Sequence, residues 1–350
     1  MKGGAPICTI VMATFDGMPF VVEQVESIQA QTEQRWLLVA SDDGSTDGTL
    51  EWLCEAAAAD SRIRVVRNPG PHGPYENFHH AIELCRGHFS ELFAGAERTP
   101  YFFFADQDDV WMPDKIEVMT SELARLEAQA GPDVPVFCFC DRELIDGEGK
   151  ALGHLTSETG EAELVESPLH IFFVHRYVAG TAMALNRPLF DLPVWPRECV
   201  GDVTHDCLFV RHAALFGDFS FIDRPLVRYR RHRKNVSELP HRYGPIGAIR
   251  RVVTDFSDVI DGSSRVYWNS MVMLSHIPCE TDLSRGLCEC FERGGLPAVR
   301  FCLVHHVHPG NVFTTALMFF NLFTRAYKRT SWFTDRAHVR AMTPDPDGGS

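Results

Sequence analysis

The sequence lacks a hydrophobic run long enough to cross a membrane, an excess of positive charge and a regular set of cysteines. A nearly apolar segment at 312–323 has only 12 residues, whereas a membrane-spanning helix needs about 20. The formal net charge of −14 argues against general nucleic-acid binding. The 11 cysteines include no CxxC pair, so we expect reduced thiols rather than a disulfide framework or a zinc site.

The composition is that of an ordinary globular protein, with 45% hydrophobic and 23% charged residues. The 350 residues allow one large domain with an extension, or two domains. The chain passes from Met1–Pro6 directly into a strand-like segment, and no secretory signal is visible. We therefore expect a cytoplasmic protein.

Strand-like and helix-like segments alternate over the first 110 residues, which is the pattern of a parallel α/β sheet. The predicted strands there are 7–14, 35–40, 62–67 and 100–105, and the predicted helices are 18–31, 47–59, 75–86 and 113–130. Further along, the predictions are strands at 134–140, 178–185 and 226–232, a helix at 206–215 and a mobile loop at 150–170.

Three carboxylates, Asp106, Asp108 and Asp109, directly follow the apolar run 101–104. Like charges repel and their desolvation is costly, so folding alone does not favour such a cluster. A divalent cation would neutralise it, and hard oxygen ligands on a short loop suit Mg2+ or Mn2+. The alternative is a solvated acidic turn that caps a helix starting near Pro113.

A second acidic loop, Ser41–Thr49, follows another buried strand. Asp42 and Asp43 lie at the carboxyl end of that strand, and in open α/β sheets ligands bind outside the carboxyl ends of the strands. The two loops together therefore predict a ligand site. A loop rich in Ser, Thr, Asp and Gly also serves to cap a helix, which is the alternative role of Asp47.

An ordered set of motifs within residues 5–237 resembles the inverting glycosyltransferases of family 2. The set comprises Val11–Phe15, Ser41–Asp47, Asp106–Asp109, Gly180–Ala184, Thr204–Asp206, and His232 with Asn235–Ser237. The Asp-Gln-Asp-Asp-Val-Trp form particularly resembles a bacterial rhamnosyltransferase-like branch. The resemblance implies an α/β fold of the GT-A nucleotide-diphospho-sugar transferase type, a Rossmann-like mixed sheet flanked by helices, with a mainly α-helical C-terminal extension.

The resemblance also implies a donor site. Asp43 would accept a hydrogen bond from a uracil or thymine base, and Thr14 would bind the base or ribose. Asn77 and Asp106 would complete the donor nucleotide site. The loop at 67–68 is a further candidate, although ordinary loop hydrogen bonding explains such residues equally well.

Asp108, in a DXD-type motif, and His232 are the metal ligands that the resemblance implies, with Asp109 as a reserve ligand. The ion would be Mg2+ or Mn2+ and would neutralise the charge of the leaving diphosphate. A lone histidine among arginines is otherwise a solvated surface residue. The cluster around Arg230 would contact the pyrophosphate directly.

Asp206 is the candidate general base, because it matches the family's catalytic aspartate in Thr-His-Asp. Its carboxylate would accept the proton of the acceptor hydroxyl as the new bond forms. The alternative is an aspartate that caps the following helix. Gly180, Thr181 and His205 would lie on the acceptor side, where small residues let a sugar approach the backbone; simple strand packing is the other interpretation.

The predicted division is a catalytic domain at 1–237, a helical extension at 238–341 and a disordered tail at 342–350. Within the extension, residues 312–329 combine an apolar helix with a basic flank. Two interpretations remain open: an interfacial helix that meets anionic lipid heads on the inner face of the membrane, or a helix packed on the catalytic domain or in a homo-oligomer interface.

The sequence thus predicts an inverting, metal-dependent glycosyltransferase. Its donor would be a nucleoside diphospho-sugar, dTDP-rhamnose first and a UDP-hexose second, and its acceptor a hydroxyl of a surface polysaccharide or lipid-linked glycan precursor. A nucleotidyltransferase is a rival, but the loop Thr14–Pro19 lacks the glycine-rich, basic character of a phosphate loop. A non-catalytic nucleotide-sugar-binding protein is the third hypothesis.

Overall fold

The computed structural model describes residues 5–93, 99–155, 163–174, 178–193, 196, 204–232, 254–277, 281–308 and 312–335. Asn235–Ser237, the predicted boundary at 237/238 and the tail at 342–350 lie outside the described residues, so those expectations stay predictions. The strands are β1 Cys8–Thr14, β2 Trp36–Asp42, β3 Ile63–Arg67, β4 Tyr101–Asp106, β5 Val110–Trp111, β6 Val136–Ile145, β7 Ala151–Leu155, β8 Met183–Asn186 and β9 Asp218–Arg230.

The strands form one mixed sheet in the order β3-β2-β1-β4-β8-β6-β9-β5, with β7 paired to β6 outside this path. The first four strands along the chain are parallel to one another, as the alternating pattern predicts. The short strand β8 is antiparallel to both of its neighbours, β4 and β6. The sheet is therefore parallel on one side of β8 and mixed on the other.

The helices cover both faces of this sheet and form a cluster near the C-terminus. Those among the strands are α1 Phe20–Gln29, α2 Thr49–Ala59, α3 Pro74–Gly87, α4 Phe89–Leu92, α5 Lys115–Ala130, α6 Glu163–Glu166, α7 Arg187–Asp191 and α8 His205–Phe216. Those that follow are α9 Phe256–Ser275, α10 Asp282–Arg293, α11 Gly295–Val304, α12 Val312–Thr324 and α13 Ser331–Thr334.

Alternating side chains of the central strands supply two separate hydrophobic cores. In β4, Phe103 and Ala105 pack with α1 and α5 on one face, while Phe102 and Phe104 pack with α3 and α8 on the other. This follows from the strand period of two, which sends successive side chains to opposite faces. A strand buried on both faces is almost wholly apolar, as 101–105 is.

Three predicted elements differ from the structure. The strand expected at 226–232 begins earlier, as β9 Asp218–Arg230. The strand expected at 178–185 is a 3-10 turn, Gly180–Ala182, followed by the short strand β8. The loop expected at 150–170 contains β7, α6 and a 3-10 helix at Pro168–Phe172, with 156–162 outside the described residues. Sequence periodicity misses such short elements because they contain too few residues to establish a period.

The C-terminal helices share the core of the α3/α8 face. The hydroxyl of Ser270 on α9 donates to the carbonyl of Phe172 at 3.0 Å. Tyr267 contacts the Phe173 ring, with centroids 6.0 Å apart, and the Tyr327 hydroxyl donates to the carbonyl of Phe291 at 2.6 Å. The first two contacts join α9 to the 3-10 helix at Pro168–Phe172 and the residue after it, and the third joins Tyr327 to α10 within the helical region.

The described part of the chain contains neither a membrane-spanning helix nor a disulfide bond. No helix there is long and apolar enough to cross a membrane. The nine cysteines in the described ranges are all free thiols, in keeping with the expectation of reduced cysteines.

Candidate active site

The carboxyl ends of β1, β2 and β4 meet at one edge of the sheet. Thr14 at the end of β1 lies beside Asp42 of β2, and Ala13 lies beside Asp106 of β4. The two acidic loops are therefore neighbours on either side of β1, as the strand-end rule predicts.

Asp42 joins the loop after β2 to the end of β1 through hydrogen bonds. It is fully buried, and its Oδ1 accepts hydrogen bonds from the backbone N–H groups of Gly44 and Ser45, at 3.1 and 3.0 Å. The buried hydroxyl of Thr14 donates to Asp42 Oδ2 at 3.1 Å. Thr14 thus has a partner inside the protein, and its contact with a base or ribose stays a prediction.

Asp43 lies at the mouth of the same loops and binds residues that precede α3. Its Oδ1 accepts from Asn68 Nδ2 at 2.8 Å and pairs with His72 Nδ1 at 2.9 Å. Its Oδ2 accepts from the N–H of Gly73 at 2.7 Å. A carboxylate has about four acceptor sites, so Asp43 retains room for one further donor. Its proposed contact with a base stays a prediction.

Asn77 and Asp47 form hydrogen bonds that stabilise the chain segments at the ends of β1 and β2. Asn77 is buried, and its Nδ2 donates to the carbonyls of Ser41 at 2.9 Å and Thr14 at 3.2 Å, which ties α3 to the ends of β1 and β2. Asp47 accepts from the backbone N–H of Thr49 at 3.1 Å, which stabilises the turn before α2, whereas the N-cap residue of that helix is Gly48. A direct contact of Asn77 with a nucleotide stays a prediction.

Asp108 and His232 come together although they are 124 positions apart. The distance from His232 Nε2 to Asp108 Oδ2 is 2.7 Å, and both side chains remain partly exposed, at 16% and 17%. The ring of Phe20 packs against the imidazole, with centroids 4.8 Å apart. The structure thus brings the two predicted metal ligands together at an accessible point.

Arg230 is placed differently from the sequence expectation. Its side chain is 1% exposed and pairs with Glu23, its Nε donates to the carbonyl of Asp108 at 2.8 Å, and its backbone N–H donates to Asp109 Oδ1 at 3.0 Å. A guanidinium buried in this way does not reach a pyrophosphate. Arg230 instead supports the acidic loop from below.

The acidic residues beside Asp108 are electrostatically strained. Burial, followed by the negative charges of Asp108 and Asp206, raises the pKa of Asp106 to about 7. Burial and the charges of Asp108 and Asp106 also raise the pKa of Asp109 well above its ordinary value, although the hydrogen bond from the backbone N–H of Arg230 opposes that rise. A cation at this point would relieve the strain, as the clustering of charges predicts.

Lys115 at the start of α5 is fully buried beneath this cluster. Its Nζ donates to the carbonyl of Thr181 and lies 3.5 Å from the centre of the Trp111 ring. Burial lowers the pKa of Lys115 to about 7, although the nearby charges of Asp109 and Asp106 act in the opposite direction. Lys115 therefore connects the acidic loop to the 3-10 turn Gly180–Ala182.

Asp206 lies in the first turn of α8 and is almost wholly buried. Its Oδ2 accepts from the N–H of Gly180 at 3.1 Å, and its Oδ1 accepts from the N–H of Cys207 at 2.7 Å and from the hydroxyl of Thr204. The carboxylate is thus held in one orientation, and its charge is close enough to affect Asp106.

His205 and Gly180 pack directly against each other. A Cβ atom at Gly180 would lie 2.5 Å from His205 Nε2, so the glycine makes room for the imidazole. His205 stacks on Phe78, with centroids 4.0 Å apart, and burial lowers its pKa to about 4. His205 is therefore neutral at pH 7, and its role towards an acceptor stays a prediction.

Asp108 and His232 are the side chains that a divalent ion at this point would contact first. No three His, Cys, Asp or Glu side chains in the described ranges form a metal-binding group by themselves. Mg2+ usually keeps several waters and binds one or two carboxylates together with substrate phosphates. Asp108 and His232 supply two adjacent donor side chains, which fits an ion that a diphosphate would also bind.

Lys115 and Gln107 were not identified from the sequence. Gln107 holds the backbone of Phe15, accepting from its N–H at 2.8 Å and donating to its carbonyl at 2.9 Å. Nothing in the sequence indicates that clamp. The burial of Lys115 could have been predicted, because Lys115 is in helical register with Met119 and Leu123, which are both buried.

The fold and the site together define an α/β protein with a carboxylate-lined ligand site at the carboxyl ends of a mixed sheet. Residues 9–148 match the family model described as Glycosyl transferase family 2. The match, the mixed sheet flanked by helices and the helical C-terminal region confirm the predicted GT-A-like fold class. They support a family 2 glycosyltransferase domain in the N-terminal part of the chain.

Three curated relatives match 109 to 152 residues of this chain. RfbG of Shigella flexneri, a dTDP-rhamnosyl transferase, is 33% identical over 109 residues, which are 30% of this chain and 34% of that protein. WfgD of Escherichia coli, a UDP-Glc:alpha-D-GlcNAc-diphosphoundecaprenol beta-1,3-glucosyltransferase, is 25% identical over 119 residues, 34% of this chain and 42% of that protein. Chondroitin synthase of Escherichia coli is 29% identical over 152 residues, 43% of this chain and 19% of that protein. The chain spans less than half the length of these relatives, and the same holds for the first curated relatives found.

Proposed function

We propose that this protein is an inverting glycosyltransferase that transfers a sugar from a nucleoside diphosphate donor to a hydroxyl of a surface polysaccharide or lipid-linked glycan precursor. One observation carries the proposal: Asp108 with His232, Asp106 and Asp206 cluster at one edge of the sheet, although they come from three distant parts of the chain. A purely structural role explains such a concentration of negative charge poorly.

Asp206 is the proposed general base. The acceptor hydroxyl oxygen forms the new bond to the anomeric carbon while the bond from that carbon to the diphosphate breaks, and the hydroxyl proton passes to Asp206. The hydrogen bonds from Gly180 and Cys207 fix the carboxylate in place beforehand. We expect Asp206→Asn to abolish transfer while leaving nucleotide affinity unchanged.

Asp108 and His232 are the proposed holders of an Mg2+ or Mn2+ ion, with Asp106 beside them. When bound, such an ion supplies positive charge that stabilises the departing diphosphate. Phe15 is 55% exposed, while Gln107 holds its backbone on both sides. Its ring offers a flat apolar surface near Asp43 for a nucleotide base.

The favoured donor is dTDP-rhamnose and the alternative is a UDP-hexose. The relative RfbG is a dTDP-rhamnosyl transferase and WfgD takes UDP-Glc, so both donor types occur among similar proteins. The Asp-Gln-Asp-Asp-Val-Trp motif, which resembles the rhamnosyltransferase-like branch, favours the first.

The test is nucleoside diphosphate release from UDP-, dTDP- and GDP-sugars with Mn2+, Mg2+ or EDTA. We expect metal-dependent release from one donor, lost in Asp108→Asn. Asp114→Asn is the matched control, because Asp114 lies outside the cluster and pairs with Arg224 at 2.8 Å. If calorimetry shows metal-dependent binding of UDP or dTDP but no donor is turned over with any glycan acceptor, the protein is a binding protein instead.

A further inference from the structure

The outward face of α12 is apolar, which is the reverse of a normal surface helix. Val312, Phe320 and Phe323 are 87%, 48% and 55% exposed, and Ala316 between them is also exposed. These positions are spaced by four, four and three residues, so they form one stripe along the helix. A soluble helix ordinarily places charged or polar residues on such a stripe.

The neighbouring helix α11 extends this apolar surface. Leu296, Leu303 and Val304 are 69%, 60% and 62% exposed, and Arg300 projects from the same exposed side. At one end of the two helices, Arg325 lies over the beginning of α11, since a Cβ atom at Gly295 would be 2.9 Å from its Nη2. Six of the eleven large hydrophobic side chains exposed in the described ranges belong to α11 and α12.

The charge of this region is opposite to that of the whole protein. Residues 293–334 contain five Lys and Arg residues and no Asp or Glu, in a chain whose formal net charge is −14. The nearest carboxylates border this segment or lie on an adjoining helix. Glu292 and Asp335 stand directly before and after it, and Glu292 is close enough to act on Lys328. Glu289 pairs with Arg293 at 3.7 Å, and Asp255 and Asp258 flank the beginning of α9. Arg300 and Arg329 are exposed to solvent.

We propose that the outward face of α11 and α12 docks on an anionic lipid surface. Apolar side chains flanked by arginines are the combination that inserts at the boundary between headgroups and acyl chains. A second copy of this chain fits the face less well, because a two-fold contact would bring the same arginines together with no carboxylate from residues 293–334 between them. The axes of α11 and α12 would lie parallel to the membrane surface. This binding would not depend on the proposed transfer reaction.

Co-sedimentation of the full chain with vesicles tests this proposal without nucleotide or acceptor. We expect binding to vesicles of equal parts phosphatidylglycerol and phosphatidylcholine, weaker binding to phosphatidylcholine alone, and loss of binding at high salt. Replacing each inserted phenylalanine by serine should lower the partition coefficient roughly tenfold, so the double variant Phe320→Ser/Phe323→Ser should lower it roughly a hundredfold. The variant Arg300→Gln should lower it roughly fivefold.

The double variant Leu152→Ser/Leu155→Ser is the matched control, since both leucines are exposed on β7 rather than on the proposed face. It should bind vesicles as the wild type does. Thermal unfolding of each variant checks that it is folded, and the salt dependence of the wild type tests the proposal without any variant. Absence of vesicle binding at low salt, or equal binding by the Phe320/Phe323 variant, would overturn it. A dimer in analytical ultracentrifugation that the same variant dissociates would show instead that the face joins two copies.

Discussion

Replacing Lys115 by methionine tests the electrostatics beneath the site. The lysine is fully buried, and burial lowers its pKa from 10.5 to about 7. Between these two pH values the unfolded chain binds more protons at this residue than the folded chain does, so the free energy of unfolding rises with pH. The destabilisation is fully present below about pH 7 and is relieved as the pH approaches 10.5, where the lysine is neutral in both states.

The size of the destabilisation follows from the shift in the pKa of Lys115. A difference of about 3.5 pKa units corresponds to about 5 kcal/mol, at 1.36 kcal/mol per unit. Between about pH 7 and pH 9.5, about 3 kcal/mol of this is recovered. Because Lys115→Met has no titrating group at this position, the free energy of unfolding of the wild type minus that of the variant should increase by about 3 kcal/mol across the same interval.

Urea unfolding under reducing conditions, followed by tryptophan fluorescence at several pH values, measures this difference. The buried thiol of Cys8, whose pKa burial raises, is common to both proteins and cancels to first order. A difference that stays constant with pH would refute the reasoning. It would mean that Lys115 keeps an ordinary pKa as the charged partner of Asp109 or Asp106.

Further predictions concern glycines, an asparagine and the acidic loop. Gly180→Ala should lower activity at least tenfold with the fold retained, because the new Cβ lies 2.5 Å from His205 Nε2; Gly262→Ala, where nothing lies within 4 Å, should instead raise stability by about 0.5–1 kcal/mol in thermal unfolding. Asn186→Ala should lower the free energy of unfolding in urea by about 3 kcal/mol, because the side-chain amide of Asn186 forms hydrogen bonds with Val136, Leu189 and two further partners. A loss under 1 kcal/mol would contradict this. The pKa of about 7 at Asp106 predicts that Mn2+ affinity, measured by calorimetry, falls as the pH drops below 7, since a protonated carboxyl is a poor ligand; an affinity independent of pH would exclude Asp106 as a ligand.

The sequence predicted the order of elements well where a hydrophobic pattern extends over many residues and where strands are buried on both faces. The observed β1, β2, β3 and β4 agree with their predicted ranges to within two residues at each end. The helix expected at 206–215 is observed as α8 His205–Phe216. Strong local patterns carry this information, because a buried strand or amphipathic helix needs particular residues at each step.

Other features depend on contacts between distant segments. The turn at Gly180–Ala182 interrupts a strand-like sequence because Lys115 binds the Thr181 carbonyl and Asp206 binds the Gly180 N–H. Arg230, expected at the surface, is buried because Glu23 and the Asp108 carbonyl receive its guanidinium. No local pattern in either segment records those partners.

The sequence by itself determined the α/β order and the two acidic loops at strand ends. Local hydrophobic periodicity and turn chemistry are written in consecutive residues, so both can be recovered from the chain alone. Only the tertiary structure decided that His232 meets Asp108, that Lys115 lies beneath the carboxylates, and that α12 turns an apolar stripe outward. Those outcomes depend on which surfaces remain to be buried once the sheet has formed, and that is a property of the whole fold.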